Sequence, residues 1–207
     1  MAVTLCYGDS NTHGTKPLTQ VGKFERHGPG DRWPDVMAAA LGPGHTVISE
    51  GLPGRTTVHD DAVEGGMRNG LTVLPAILQS HAPIDLMVLM LGTNDLKTRF
   101  SVTAFEISRS LERLIHATRA ESVVKDILLV SPVPVRETGI LKDVFAGAEA
   151  SQQGLSACIA AAAERQDVGF FDAGSVVKVS PIDGVHWDAA AHHQMGKAMA
   201  KAVAARL

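Results

Sequence analysis

An α/β fold, with a five-stranded parallel sheet covered by helices on both faces, is the architecture this sequence predicts. Two observations carry the prediction. Short apolar and β-branched runs alternate with helical patterns along the chain, which calls for parallel strands joined by right-handed crossovers. The run at 84–91, Ile-Asp-Leu-Met-Val-Leu-Met-Leu, is almost unbroken apolar residues, the mark of a strand buried on both faces. Five such strands fit a flavodoxin-like three-layer sandwich with strand order 2-1-3-4-5. With 207 residues and no internal repeat or linker, residues 1–207 are expected to form a single domain.

Each element follows from local pattern. Residues 3–6 read as the first strand, which stops at Gly8-Asp9-Ser10. Residues 14–30 carry Gly, Pro, Lys16, Lys23, Arg26 and His27 without periodicity, and a loop of that length in a compact domain is usually functional. A helix is expected from about Asp31, with Pro34 in its first turn and Val36, Met37, Ala40 and Leu41 on one face. Gly42-Pro43-Gly44 ends it, and 45–49 reads as the second strand. A loop at 51–57 and a polar stretch at 59–69 lead to a helix bearing Leu71, Leu74, Ile77 and Leu78, whose Pro75 falls in the first turn or bends it. The strong strand at 84–91 runs into Gly92-Thr93-Asn94-Asp95. Thr103 and Glu106 have the spacing of a capping box, followed by Ile107, Leu111, Leu114 and Ile115 at helical intervals. Residues 126–131 form the fourth strand, 149–165 an Ala-rich helix and 168–171 the fifth strand. A last helix starts at Asp188 as N-cap, with Met195, Met199, Ala202 and Val203 inward and Lys197, Lys201 and Arg206 outward.

Composition excludes several classes of function. The formal net charge of −3 gives no electrostatic footprint for nucleic acid or an anionic membrane. No run of apolar residues is long enough to cross a bilayer. The first strand is read almost directly after Met1, so no cleaved leader is expected. The two cysteines, Cys6 and Cys158, lie in apolar contexts and read as reduced core thiols. A cytoplasmic protein is expected. Among the nine histidines, His192 and His193 are adjacent and lack a carboxylate at i+4, so both are expected outward in solvent and no metal site is expected. No motif calls for a cofactor. Arg55 is expected to pair with Asp60 or Asp61, with contact to substrate the alternative.

Four polar clusters then fall past the carboxyl ends of strands, where open α/β sheets place their ligands. Ser10 follows the first strand, Gly54 the second and Asn94 the third, while Asp183 and His186 lie beyond the fifth. Acyl transfer needs a hydroxyl nucleophile, an imidazole to take its proton and a carboxylate to hold the imidazole in the correct tautomer. It also needs donors for the oxyanion, which the Ser10 amide, an amide near Gly54 and the Asn94 side chain could supply. The simpler alternative for Gly8-Asp9-Ser10 alone is a turn in which Asp9 and Ser10 bond nearby amides.

These blocks, Gly8-Asp9-Ser10, Gly54, Gly92-Thr93-Asn94-Asp95 and Asp183-Gly184-Val185-His186, closely resemble those of the SGNH (GDSL-like) hydrolase family. The strings at 50–57 and 171–175 are similar to its intracellular arylesterase and acyltransferase branch. The resemblance runs nearly end to end. It implies Ser10 as nucleophile, His186 as base, Asp183 as its orienter, and Ser10, Gly54 and Asn94 as oxyanion donors. The expected activity is hydrolysis of small aryl or alkyl acyl esters through an acyl-enzyme, with acyl transfer to alcohols as a second outcome. A carbohydrate deacetylase, thioesterase or lysophospholipase would use the same residues, and a non-catalytic binding module is the alternative of another class. The sequence departs from that branch at Asn11 and His13, where Leu and Trp are common, implying a more polar pocket wall. Asn11, His13, Lys97, Phe100, Val185 and Trp187 are the expected pocket residues, with ordinary packing the alternative for Phe100 and Trp187. The apolar stretch 133–145 needs a partner, which is the body of its own domain, a substrate or another subunit; the resemblance favours a homo-oligomer whose entrance is narrowed by residues 14–30 and this stretch.

Overall fold

In the computed structural model, which describes residues 1–20 and 22–207, five parallel strands form one sheet in the order β2-β1-β3-β4-β5. They are β1 (Ala2–Gly8), β2 (His45–Gly51), β3 (Ile84–Met90), β4 (Val124–Ser131) and β5 (Gly169–Asp172). The helices in chain order are α1 (Ser10–His13), α2 (Trp33–Leu41), α3 (Gly70–His81), α4 (Ala104–Glu121), α5 (Ala148–Ser151), α6 (Leu155–Arg165) and α7 (Ala189–Ala204). The strand order reverses between β1 and β3, so the crevice of this topology opens beyond their carboxyl ends.

The alternation of β3 side chains divides the core into two layers. Met87 and Leu89 pack with Leu74 and Leu78 of α3, Leu111 and Ile115 of α4 and Ile159 of α6. Leu86, Val88 and Met90 face the other way, into Trp33 and Met37 of α2 and Met195, Met199 and Val203 of α7. A period of two in the strands and of 3.6 in the helices thus produces the three-layer sandwich.

Local chemistry sets the helix boundaries. Thr103 and Glu106 form the expected capping box on α4, and the Asp188 carboxylate caps α7 by accepting from Ala191 N. The second helix begins at Trp33 rather than Asp31, with Arg32 as an extended N-cap residue and Pro34 in the first turn. Pro75 lies inside α3. The expected continuous helix at 149–165 is split, since Gly154 takes a left-handed conformation with φ of 76°. The Gln152 amide instead bonds both main-chain groups of Val135, which ties α5 to the connection after β4. Residues 133–145, unassigned by periodicity, pack back on the domain through Val133, Val135 and Phe145.

The adjacent histidines separate. His193 is half-buried and reaches Asp31, whereas His192 is completely buried, contrary to the expectation that both face solvent. Successive helix residues diverge by about 100°, and His192 sits on the stripe of Met195, Met199 and Val203.

Candidate active site

The site begins where β1 ends. Asp9 caps α1 by accepting from Asn11 N at 2.9 Å, so the turn reading of Asp9 holds alongside a site at Ser10. Gly8 is required for this turn, because a Cβ there would lie 2.1 Å from the Thr12 hydroxyl. Ser10 is thereby presented at the first position of α1, above the carboxyl end of the sheet.

The partners arrive on a tight loop after β5. Gly184 N bonds Ser180 O, Ser180 N bonds His186 O, and Arg136 N bonds Gly184 O. Gly184 has φ of 74° and a Cβ there would meet Arg136 O at 2.0 Å, so only glycine closes this turn. The turn brings His186 Nε2 to 3.1 Å from Ser10 Oγ, and His186 Nδ1 to 2.6 Å from Asp183 Oδ2. Burial alone pushes the Asp183 carboxyl up, but hydrogen bonds from His186 and from main-chain amides outweigh it and hold the group below its ordinary value. An ionised Asp183 can only accept, so Nδ1 carries the imidazole proton and Nε2 presents its lone pair to the Ser10 hydroxyl. Burial raises the nearby Asp9 carboxyl, partly offset by the Asn11 amide and the Thr93 hydroxyl.

Two further loops face the same point. Asn94 Nδ2 donates to Arg55 O at 3.1 Å, which occupies one of its two hydrogens and leaves the other. Asp95, fully buried, accepts from Thr57 N at 3.0 Å and from the Thr57 hydroxyl. The loop bearing Gly54 is thus held against the loop bearing Asn94. Neither the Ser10 nor the Gly54 main-chain N–H has an acceptor among the described residues. Three donors are therefore available beside one hydroxyl, an arrangement able to accommodate a developing oxyanion.

A cleft of about 300 Å³ opens over these groups, lined by Ser10, Gly54, Asn94 and His186. That volume is at the small end for ligand pockets, about 300 to 1,000 Å³. Its lining is largely apolar, from Leu18, Ile140, Leu141, Val144, Phe145 and Val185, with Glu64, Arg68 and Lys97 as charged members. Lys97 is buried and bonded to Asp61 and Glu64 at 3.2 and 2.7 Å, with Arg99 on the same carboxylates.

Of the expected pocket residues, Lys97 and Val185 line the cleft and four do not. Asn11 is buried behind Ser10, where Nδ2 donates to Val185 O at 3.1 Å; it braces the His186 loop. His13 turns toward Thr15, and burial with Arg26 and Arg32 nearby lowers its pKa to about 4. Phe100 stacks on His59, and Trp187 lies in the core against His192. Arg55 does not pair with Asp60 or Asp61: it is buried, donates to Gly8 O and Glu50 O, and places its guanidinium 4.2 Å from the Tyr7 ring centroid. The sequence reading missed the contribution of Glu64 and Arg68, whose only signal was their place in a polar stretch. The expectation that residues 14–30 and 133–145 narrow the entrance agrees with the lining, to which Leu18 and Phe24 contribute from the first segment and Ile140, Leu141, Val144 and Phe145 from the second.

A buried hydroxyl–imidazole–carboxylate row at the switch point of a 2-1-3-4-5 sheet, with N–H groups of three loops close by, is a geometry suited to ester hydrolysis. The sequence pattern of the GDSL-like lipase/acylhydrolase family matches residues 6–194, and the chain belongs to that family. Among solved structures, native aryl esterase of M. smegmatis is 35% identical, with 100% of each chain covered and a TM-score of 0.94. Est24, a carbohydrate acetylesterase from Sinorhizobium meliloti, is likewise 35% identical with full coverage of both chains and a TM-score of 0.94. A carbohydrate acetylesterase family member from the same organism is 41% identical, covering 100% of this chain and 99% of its own, with a TM-score of 0.92. No curated protein matches the chain in sequence.

Proposed function

We propose that this esterase cleaves small acyl esters by a serine mechanism, with Ser10 as nucleophile, His186 as general base and Asp183 as the group that orients the imidazole. The observation that carries the reading is the row of contacts at 3.1 and 2.6 Å from Ser10 Oγ through His186 to Asp183 Oδ2. Ser10 Oγ attacks the ester carbonyl carbon as its proton passes to His186 Nε2. The carbonyl oxygen becomes an oxyanion, received by the Ser10 and Gly54 amides and the second hydrogen of Asn94 Nδ2. The intermediate collapses, the C–O bond breaks, and His186 returns the proton to the departing alcohol. Water then repeats the sequence on the acyl-Ser10 ester to release the acid; an alcohol in its place gives acyl transfer.

The largely apolar lining and the small cleft favour short acyl groups on aryl or alkyl alcohols. The charged lining residues Glu64, Arg68 and Lys97 support a second reading, an acetylated sugar as substrate, in keeping with the two acetylesterase neighbours. A panel of aryl acetate, butyrate and octanoate with an acetylated sugar tests both. The reading expects kcat/KM to fall by at least an order of magnitude from acetate to octanoate, and constant or rising values would overturn it.

No described helix is long and apolar enough to cross a membrane. We further propose a cytoplasmic homo-oligomer that acts on small molecules and not on nucleic acid. Exposed Phe24, Val63, Met67 and Ile182 support the assembly, because they border cleft residues in the chain and a second copy would cover them.

A further inference from the structure

Residues 14–20 and 22–30 contribute no helix or strand, yet they reach the site in two ways. Leu18 and Phe24 line the cleft. The Leu18 main-chain N–H donates to Asp183 Oδ2 at 2.7 Å, a buried bond between residues 165 apart in the chain. Oδ2 is also the oxygen that holds His186 Nδ1 at 2.6 Å. Oδ1, in contrast, is filled from its own turn by the N–H groups of Val185 and His186, each at 3.0 Å. One of the four donors to Asp183 therefore comes from a residue whose side chain is part of the cleft wall. The base of the segment is anchored, since Thr15 N bonds Ser10 O, Lys16 N bonds Glu25 O and His27 N bonds Gly14 O.

We propose that the Leu18 main-chain amide is a positioning group for the reaction, setting the charge that Asp183 presents to His186. The inference rests on the Ser10–His186–Asp183 reading. A donor on Oδ2 disperses negative charge that would otherwise stabilise an imidazolium on Nδ1. With the donor in place, the imidazolium formed during attack returns its proton readily to the leaving alcohol. Without it, the imidazole holds a proton to higher pH and fewer molecules begin the cycle with a free Nε2. Leu18 presses its side chain into the space that substrate enters, so the same residue meets the substrate and donates to the carboxylate. The other titratable groups about His186 are the buried Asp9 beneath Ser10 and His192 on α7, with His27 bonded to Trp187 O; a change at Leu18 alters none of them chemically.

The test compares kcat/KM against pH on an aryl acetate for wild type, Leu18→Ala and Leu18→Pro. Alanine keeps the N–H and loses the apolar wall; proline loses the N–H. The acid limb of Leu18→Pro is expected to move to higher pH by about half to one unit, while that of Leu18→Ala coincides with wild type. A Leu18→Pro limb that coincides with wild type overturns the proposal. A second measurement needs no substitution: the Leu18 amide of the full chain should be protected from hydrogen exchange, and its NMR resonance should titrate with the acid limb. A freely exchanging, pH-invariant amide also overturns it. Ser10→Ala in the same assay separates the two levels. If it retains turnover, the serine reading itself fails; if it is inactive while the Leu18 limbs coincide, only the Leu18 inference fails.

Discussion

Replacing His192 by Gln should remove an acid sensitivity that the fold carries at the α2–α7 contact. The imidazole is completely buried, packed against Trp187 and His27 with ring centroids 5.3 and 4.8 Å away. Its Nδ1 accepts from Trp33 N at 3.3 Å, and its Nε2 has no partner among the described residues. Burial, with His27 and His186 nearby, lowers its pKa from 6.5 to about 3. Above pH 6.5 the residue is neutral folded or unfolded and costs nothing. Below that, the unfolded chain takes a proton that the folded chain refuses, so stability falls as pH falls until about pH 3. One proton is worth about 1.4 kcal/mol per pH unit, so at pH 4.5 the loss is about 3 kcal/mol. Gln offers Trp33 an acceptor and does not titrate. Urea unfolding of both proteins between pH 7.5 and 4.5 should show wild type losing stability faster than His192→Gln by about that amount. A difference between the two that stays constant with pH would refute the reasoning.

Three further outcomes follow from the site. Asn94→Ala should lower kcat by about 10²- to 10³-fold with little change in KM, because one oxyanion donor is lost; an effect confined to KM would place Asn94 in ground-state binding. Lys97→Met should cost about 1 to 3 kcal/mol in denaturant unfolding, because the buried Asp61 carboxylate loses one cation and keeps Arg99 with the Val63 and Glu64 amides; no measurable loss would show the pair to be effectively solvated. Light scattering at micromolar concentration should report a species larger than one chain, shifted toward the monomer by Phe24→Glu with Met67→Glu; a monomeric wild type ends that proposal.

The architecture was legible because strands of a covered parallel sheet must be apolar on both faces, and 84–91 announces this without help from neighbours. The capping residues Thr103 and Asp188 were legible for a similar reason, since a cap is a local bargain between one side chain and the next turn. Ser10, Gly54, Asn94, Asp183 and His186 could be gathered on one edge because topology alone takes the ends of parallel strands there. What escaped depends on tertiary contact. His192 looked like one of two solvated histidines, although its spacing to Met195, Met199 and Val203 was that of an inward stripe. Arg55 seemed destined for Asp60 or Asp61, but Gly8 O, Glu50 O and the Tyr7 face lie closer in space than in sequence. Asn11 and His13 follow the nucleophile in the chain, yet α1 turns them away from the cleft. The Leu18 bond to Asp183 has no signature at all, because every residue except proline carries the same main-chain donor.

The central claim is that Ser10 forms a covalent bond to substrate, and an active-site phosphonate tests it most directly. Incubation with a fluorophosphonate, followed by intact mass and peptide mapping, should place one adduct on Ser10 of wild type and none on Ser10→Ala, which should retain less than about 10⁻³ of wild-type kcat. An adduct on another residue, or full turnover by Ser10→Ala, would contradict the account.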